Sequence, residues 1–316
     1  MRIILGLENL KRPDRPVALT IGNFDGMHLG HQSIVRKVVE LAKSNNLMPV
    51  VVTFEFHPLK FLTPQKTPGL LMSLEEREKI MSEMGIELVV VARCNDALLK
   101  MERDEFIGNI LMRYFDVNFI VEGPNFRFGH DRTGDIDYLI RTAQEFGFHA
   151  IKIDPVQVNL GNLGVQTLSS SLVRKLISSG KVDLARNCLG RPYQLIGEVI
   201  AGVRRGRSIG FPTANLDVGE QLLPQHGIYA ARVQMGDSLY PAAAVIGPAP
   251  TFEQYETAVE AYLIGYNGDL YGRKVILNLY RGIRDIIKFQ DAPQLVEQIK
   301  HDVKSVLEIL KQEEAT

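Results

Sequence analysis

His28 and His31 stand three residues apart in Gly22-Asn23-Phe24-Asp25-Gly26-Met27-His28-Leu29-Gly30-His31. The run Val17 to Ile21 before this segment reads as a buried strand. Gln32 to Lys43 after it repeats apolar residues at helical spacing, at Ile34, Val35, Val38, Val39 and Ala42. The segment is therefore a strand-to-helix turn, and residues at i and i+3 share one helix face. Backbone N–H groups at a helix N-terminus lack intrahelical partners and favour anions. Two imidazoles beside such a terminus suit negatively charged oxygens, above all nucleotide phosphates. A metal would need further ligands. The sequence offers no nearby cluster, only His57 in Phe54-Glu55-Phe56-His57-Pro58.

Four more segments carry chemistry. Gly123-Pro124-Asn125-Phe126-Arg127-Phe128-Gly129 bounds an amide, a cation and two rings with glycines. Arg127 can meet a phosphate; Phe126 and Phe128 either line a site for a flat ring or pack onto their own core. Ser169-Ser170-Ser171-Leu172-Val173-Arg174 reads as helix caps, and equally as a polyphosphate site. Gly202-Val203-Arg204-Arg205-Gly206-Arg207-Ser208-Ile209-Gly210 is a basic, glycine-rich loop whose backbone can approach phosphates; alone it reads as a solvated loop. It runs into Phe211-Pro212-Thr213-Ala214-Asn215, where Thr213 and Asn215 point to one side of an extended chain and can hold Mg²⁺ with a phosphate. Glu260 in Ala258-Val259-Glu260-Ala261-Tyr262-Leu263 shares a strand face with Tyr262, the ordinary place for a solvated carboxylate.

The elements that position these groups change type midway. Strands at Met48–Phe54, Ile86–Ala92, Val117–Val121 and His149–Ile153 alternate with helices at Ser73–Met84, Asp104–Tyr114 and Asp135–Phe146. That alternation predicts a parallel sheet covered by helices, with ligands at the carboxyl ends of its strands. The His28–His31 turn, His57-Pro58 and the Asn125 loop each follow a strand, so all three gather on one edge. Beyond about 190 come short strands at Gln194–Ile200, Gly227–Val233, Ala242–Ile246, Ala258–Ile264 and Lys274–Leu279, the pattern of a small barrel. A closing amphipathic helix spans Ala292–Leu310, with Leu295, Ile299, Val303, Val306 and Ile309 as its core stripe.

The length of 316 residues suits two domains, and 36 Lys+Arg against 37 Asp+Glu leaves no field that would recruit nucleic acid or a membrane. The sequence has no membrane-length apolar run. Glu8 and Lys11 come too early for a signal peptide. Cys94 and Cys188 form no C-x-x-C pair and read as buried thiols of a cytoplasmic protein. Oligomeric state is not legible.

The H-x-G-H turn resembles the signature of nucleotidyltransferases, and the whole set resembles the bifunctional riboflavin kinase/FMN adenylyltransferase family of prokaryotes. Gly22–Gly26 with His28 and His31, Phe56-His57-Pro58, Asn125–Gly129, Ser169–Arg174 and Leu189-Gly190-Arg191-Pro192-Tyr193 carry the resemblance through nearly the whole chain. It implies an α/β, Rossmann-like nucleotidyltransferase domain over 1–183, followed by a β-barrel riboflavin kinase domain with a C-terminal helix over 184–316. The implied reactions are riboflavin to FMN in the second domain and FMN to FAD plus pyrophosphate in the first. Both use ATP with Mg²⁺. The resemblance makes His28 and His31 stabilisers of the transferring phosphate. It gives ATP to Gly22, Asn23, Phe24, Asp25, Gly30, Ser169, Ser170, Ser171, Arg174, Gly202, Gly206 and Gly210. Flavin falls to His57, Pro58, Asn125 and Arg127, and metal to Thr213 and Asn215. Glu260, ahead of Asp269-Leu270-Tyr271-Gly272, becomes the base for the riboflavin 5′-hydroxyl. Three positions depart from the family pattern. Ala249 stands for an Arg, Gly265 for an Asp and Ile286 for a Glu. They sustain an alternative: an adenylyltransferase whose second domain is a degenerate flavin-binding or regulatory module.

Overall fold

The structure is a computed structural model that describes residues 1–55, 65, 67–93, 95–202, 209–250 and 255–314. The chain divides into two compact units. Met1–Pro68 and Ser73–Ser169 form the first; Gly69–Met72 and Ser170–Thr316 form the second.

The first unit is built on six parallel strands: β1 (Arg2–Leu5), β2 (Val17–Ile21), β3 (Met48–Phe54), β4 (Leu88–Ala92), β5 (Val117–Glu122) and, after two two-residue strands β6 (Arg127–Phe128) and β7 (Gly134–Asp135), β8 (His149–Lys152). Their order across the sheet is β1-β4-β3-β2-β5-β8. The chain thus builds outward from β2 through β3 and β4 on one side, then restarts at β5 on the other. Strand order reverses between β2 and β5, where open parallel sheets bind ligands. Every residue of β2 and β4 is buried, because helices cover both faces. α1 (Leu29–Asn45) lays Val35, Val38, Val39 and Ala42 on the sheet, the stripe expected from spacing. α2 (Leu74–Glu83) starts with a capping box between Ser73 and Glu76. α3 (Ile136–Phe146) is capped by the Asp135 side chain. The helix expected over 104–114 is wound as a π-helix over Phe106–Phe115, which turns Ile110 and Phe115, five apart, to the core. β1 is an edge strand that periodicity did not reveal, and its Ile3 and Leu5 remain exposed. A small hairpin, β9 (Gln157–Asn159) with β10 (Val165–Thr167), ends the unit.

The second unit opens with α4 (Ser170–Ser178) and α5 (Val182–Leu189). Six strands then close a barrel: β11 (Tyr193–Ile200), β12 (Ala214–Asp217), β13 (Gly227–Met235), β14 (Ser238–Pro250), β15 (Tyr255–Leu263) and β16 (Lys274–Arg284). β12 is the strand missing from the sequence pattern, since its four residues are too few for a periodic signal. Burial alternates along β11 as period two requires. A barrel this narrow has little interior room, and Ala231, Ala242, Ala244 and Ala261 fill it beside larger residues. The closing helix α6 (Ala292–Glu314) packs Val306 and Leu310 on Ala230 and Ala243. Its fully buried line is Asp302, Val306 and Leu310 rather than the all-apolar stripe expected. The exception has a cause: Arg284 holds the Asp302 carboxylate with two bonds of 2.9 and 2.6 Å. The segment Gly69–Met72 joins this unit through Leu70, whose carbonyl accepts the Leu222 N–H at 2.8 Å.

Candidate active sites

In the first unit the chain leaves β2 through a tight left-handed turn. Gly26 has φ +83°, but Phe24 and Met27 also sit at +48° and +40°. Non-glycine residues there cost about 1–3 kcal/mol each and persist only where their surroundings over-determine them. Here both side chains are buried, Met27 fully. The Phe24 ring meets His31 edge-on at 5.3 Å, and the Gln32 side-chain amide donates to the Met27 carbonyl at 2.9 Å.

This turn delivers His28 to the N-cap of α1. Its Nδ1 accepts the His31 backbone N–H at 3.2 Å, which leaves the ring proton on Nε2 as a donor. His31 stacks on it, with centroids 3.6 Å apart and planes 18° from parallel. His28 is buried and His31 half-buried. One residue thus caps the helix and brings an imidazole to its positive end.

The Asn125 loop follows β5, the neighbour of β2, so the structure brings both segments to the reversal of strand order. Phe126 donates its N–H to Gly123 O at 3.2 Å, closing the turn. Arg127 is exposed, and its guanidinium donates to Pro124 O and Phe126 O. Phe128 is buried and belongs with Phe126 to the sheet's core cluster, so packing claims that ring. His57 and Pro58 lie outside the described residues. Ser169 ends the first unit, while Ser170, Ser171 and Arg174 belong to the second, in the opening turns of α4. Arg174 donates there to Gly69 O at 3.0 Å.

Two buried charged side chains in the first unit escaped the sequence reading. Glu122 ends β5 one residue beyond the expected strand, paired with Lys152 of β8, and its carboxylate accepts the Ile21 N–H at 2.6 Å and the Thr20 hydroxyl at 3.3 Å. Burial pushes its pKa well above the usual carboxylate range, against the pull of those two bonds. The folded chain therefore keeps a proton that the unfolded chain releases near the ordinary value of about 4.3. Stability from this group is present below that value and is lost as pH rises through the raised one. Glu122→Gln keeps an acceptor for both donors and cannot ionise. Its melting temperature relative to the parent chain should climb from pH 5 to pH 8; a constant difference would mean an ordinary carboxylate. The second is Arg77, buried in the first turn of α2 and bonded to Asn23 O at 2.6 Å. Its sequence signal is its place four residues before Met81, on the apolar stripe, where a hydrophobic residue belongs.

In the barrel the expected residues come together. Asn215 pairs with Glu260 across β12 and β15. Thr213 donates its hydroxyl to Glu260 Oε2 at 2.9 Å. Gly202 packs so closely on this rung that a Cβ there would stand 2.1 Å from the Asn215 amide nitrogen. Only glycine leaves that side chain its place. Val259, Ala261 and Leu263 face the interior, so Glu260 and Tyr262 face outward as alternation predicts. Phe211, beside the motif, meets Tyr262 edge-on at 5.2 Å. The turn Asp269–Gly272 is tied by Tyr271 N–H to Asp269 Oδ1 and docks on β11 through Gly272 N–H to Val199 O. Gly210 lies in an exposed left-handed turn; Gly206 lies outside the described residues.

A surface cavity of about 560 Å³, open to solvent, lies among Gln225, His226, Pro248, Asp285 and Ile286. The Ile286 Cδ1 fills the space above Gly247, 2.2 Å from where a Cβ would stand. Gly247 pairs with Ala258, two residues from Glu260 and so on its face, roughly 7 Å along the strand. Of the three departures, Ile286 therefore lines the cavity and Gly265 sits in an exposed left-handed turn at φ +78°. The Ala249 side chain lies outside the described set. Among the described residues no group of three His, Cys, Asp or Glu is arranged to hold a metal. No helix among them is long and apolar enough to cross a membrane.

Comparison with known proteins covers both units. A family described as FAD synthetase matches residues 10–166, and one described as riboflavin kinase matches 189–310. A bifunctional riboflavin kinase/FMN adenylyltransferase of Buchnera aphidicola is 32% identical over 97% of this chain and 98% of its own. Its counterpart in Escherichia coli K12 is 34% identical, covering 96% of each chain. A crystal structure titled as a macrolide-efflux protein from Streptococcus pneumoniae superposes with a TM-score of 0.86 at 29% identity, over 97% of this chain and 99% of that one.

Proposed function

Since the chain belongs to the bifunctional riboflavin kinase/FMN adenylyltransferase family, we propose that its two reactions are carried by the two constellations above, with the functional division at residue 183. The chain is a riboflavin kinase and FMN adenylyltransferase, with riboflavin, FMN and ATP as its substrates.

In adenylyl transfer an FMN phosphate oxygen attacks the α-phosphorus of ATP. The bond to the bridging oxygen breaks, and pyrophosphate leaves. Negative charge grows on the transferring group. The His28 Nε2–H, His31 and the N–H groups opening α1 offer donors for it without reorganisation. Gly22, Asn23, Phe24, Asp25 and Gly30 form the wall of this site, and Asn125 and Arg127 its flavin side. The family pattern gives Ser169–Ser171 and Arg174 to the polyphosphate.

In the kinase reaction the riboflavin 5′-hydroxyl attacks the γ-phosphorus, Glu260 takes its proton, and ADP leaves. The Thr213 hydroxyl and the Asn215 amide oxygen are hard oxygen donors that suit Mg²⁺, which leaves Glu260 as the base. Gly202 reserves the space beside Asn215 for its amide. When bound, Mg²⁺ neutralises phosphate charge. Thr213 orients the Glu260 carboxylate through their hydrogen bond. The cavity at Ile286 suits the flat ring, with the ribityl chain spanning the short stretch of β15 to Glu260. An isoleucine wall offers apolar contact where a charge is lacking, so this reading keeps the kinase active despite the departures. Cys188 is a buried free thiol, pushed up to about 11 by burial, which fits a reducing cytoplasm.

The observation that carries this reading is the Thr213–Glu260–Asn215 rung, which a degenerate module would have no need to keep. The purified chain with ATP and Mg²⁺ should convert both riboflavin and FMN to FAD, separable by chromatography. Chelating Mg²⁺ should stop FMN formation. FAD from FMN alone would leave the second unit as a binding module.

A further inference from the structure

α2 begins with the charged run Glu75-Glu76-Arg77-Glu78-Lys79, and of these only Arg77 is buried, at 4% exposed. Its Nη1 donates to Asn23 O at 2.6 Å, to Thr53 Oγ1 at 3.2 Å and to Phe54 O at 3.5 Å. The Thr53 hydroxyl donates to the same Asn23 carbonyl at 3.3 Å. One nitrogen therefore ties the residue after the turn's first glycine to the end of β3. The guanidinium Nε is buried with no hydrogen-bond partner among the described residues. Burial lowers the Arg77 pKa, while the buried carboxylate of Asp25 opposes that shift.

A scaffold position on this stripe needs no charge, as Met81 one turn later demonstrates. A desolvated cation is costly unless its partners repay it. The partners here are the backbone of the turn that carries His28 and His31. That turn runs through left-handed Phe24 and Met27, a conformation it would not hold unaided. We propose that Arg77 is a positioning residue for adenylyl transfer: it anchors the Asn23 carbonyl to β3 and thereby fixes where the His28–His31 pair stands relative to the reacting phosphate. This rests on the assignment of that pair to adenylyl transfer.

The test uses the full chain, whose kinase reaction reports on folding of the second unit. Arg77→Met should lower kcat for FAD formation from FMN by about a hundredfold, the cost of roughly 1 Å of misplacement. KM for ATP and FMN should stay near the parent values, and FMN formation should not change. Arg77→Lys keeps the charge with a single donor head and should recover part of the rate. A folded Arg77→Met with parent kcat, a loss confined to KM, or full recovery with lysine would each overturn the proposal. If circular dichroism shows the first unit of Arg77→Met unfolded, Thr53→Val decides, since it removes one acceptor of the same anchor. A reduced kcat supports the anchor, and a parent kcat overturns it. His28→Ala separates the two readings. If that variant still makes FAD, the site assignment fails and this proposal with it. If it is inactive while Arg77→Met is fully active, only the proposal fails.

Discussion

His28→Ala should leave the chain making FMN from riboflavin at the parent rate while FAD formation falls by about a hundredfold to a thousandfold, the range for losing one preorganised donor to a developing charge. The variant loses two things at once. The N-cap bond from His31 N–H to His28 Nδ1 disappears, which costs about 1 kcal/mol of helix stability. The stacked ring beside His31 disappears as well, and with it the Nε2–H donor. The first loss is small against the stability of a unit whose central strands are wholly buried. The second acts on the chemical step. Riboflavin with excess ATP should therefore stall at FMN, visible as a single accumulating flavin peak. Loss of both activities in a folded chain would contradict the division of labour.

Glu260→Gln should produce the mirror image. It keeps an acceptor for the Thr213 hydroxyl and the rung with Asn215, so the local geometry survives. It removes the group that receives the 5′-hydroxyl proton, an effect usually worth about a hundredfold to ten-thousandfold. Riboflavin should remain unconverted, and supplied FMN should still become FAD. Mixing this variant with His28→Ala should restore FAD formation from riboflavin, because FMN diffuses between chains. An unchanged kinase rate in Glu260→Gln would transfer the base role elsewhere.

The parallel sheet was legible because its strands are long apolar runs separated by amphipathic helices, as at Val17–Ile21 with Val35, Val38 and Val39. The barrel was legible in five strands of six. Ala214–Asp217 escaped because four residues with mixed burial carry no period, although the Thr213 and Asn215 spacing already marked the segment as extended. Thr213 and Asn215 were legible as a pair because residues at spacing two on an extended segment share a side, whereas their rung with Glu260 needs the pairing of β12 with β15. Arg77 and Glu122 were not, for one shared reason. Each is a charged residue in an ordinary charged or strand-end context, and burial of a charge is a tertiary fact. Asp302 hid likewise beneath an apolar stripe, and its partner Arg284 lies far from it along the chain on another element.

The fragment Gly69–Met72 belongs to the barrel unit but is synthesised in the middle of the first one. Leu70 thus leaves the ribosome long before Leu222, whose N–H its carbonyl will accept. The early unit must close around a gap in its own sequence and hold out four residues for a neighbour not yet made. Cutting the gene at a single point after residue 183 yields a carboxyl-terminal piece without its Leu70 partner. The two enzymes in this chain are consecutive in their matched segments yet interleaved in their covalent order, and modular only at the level of chemistry.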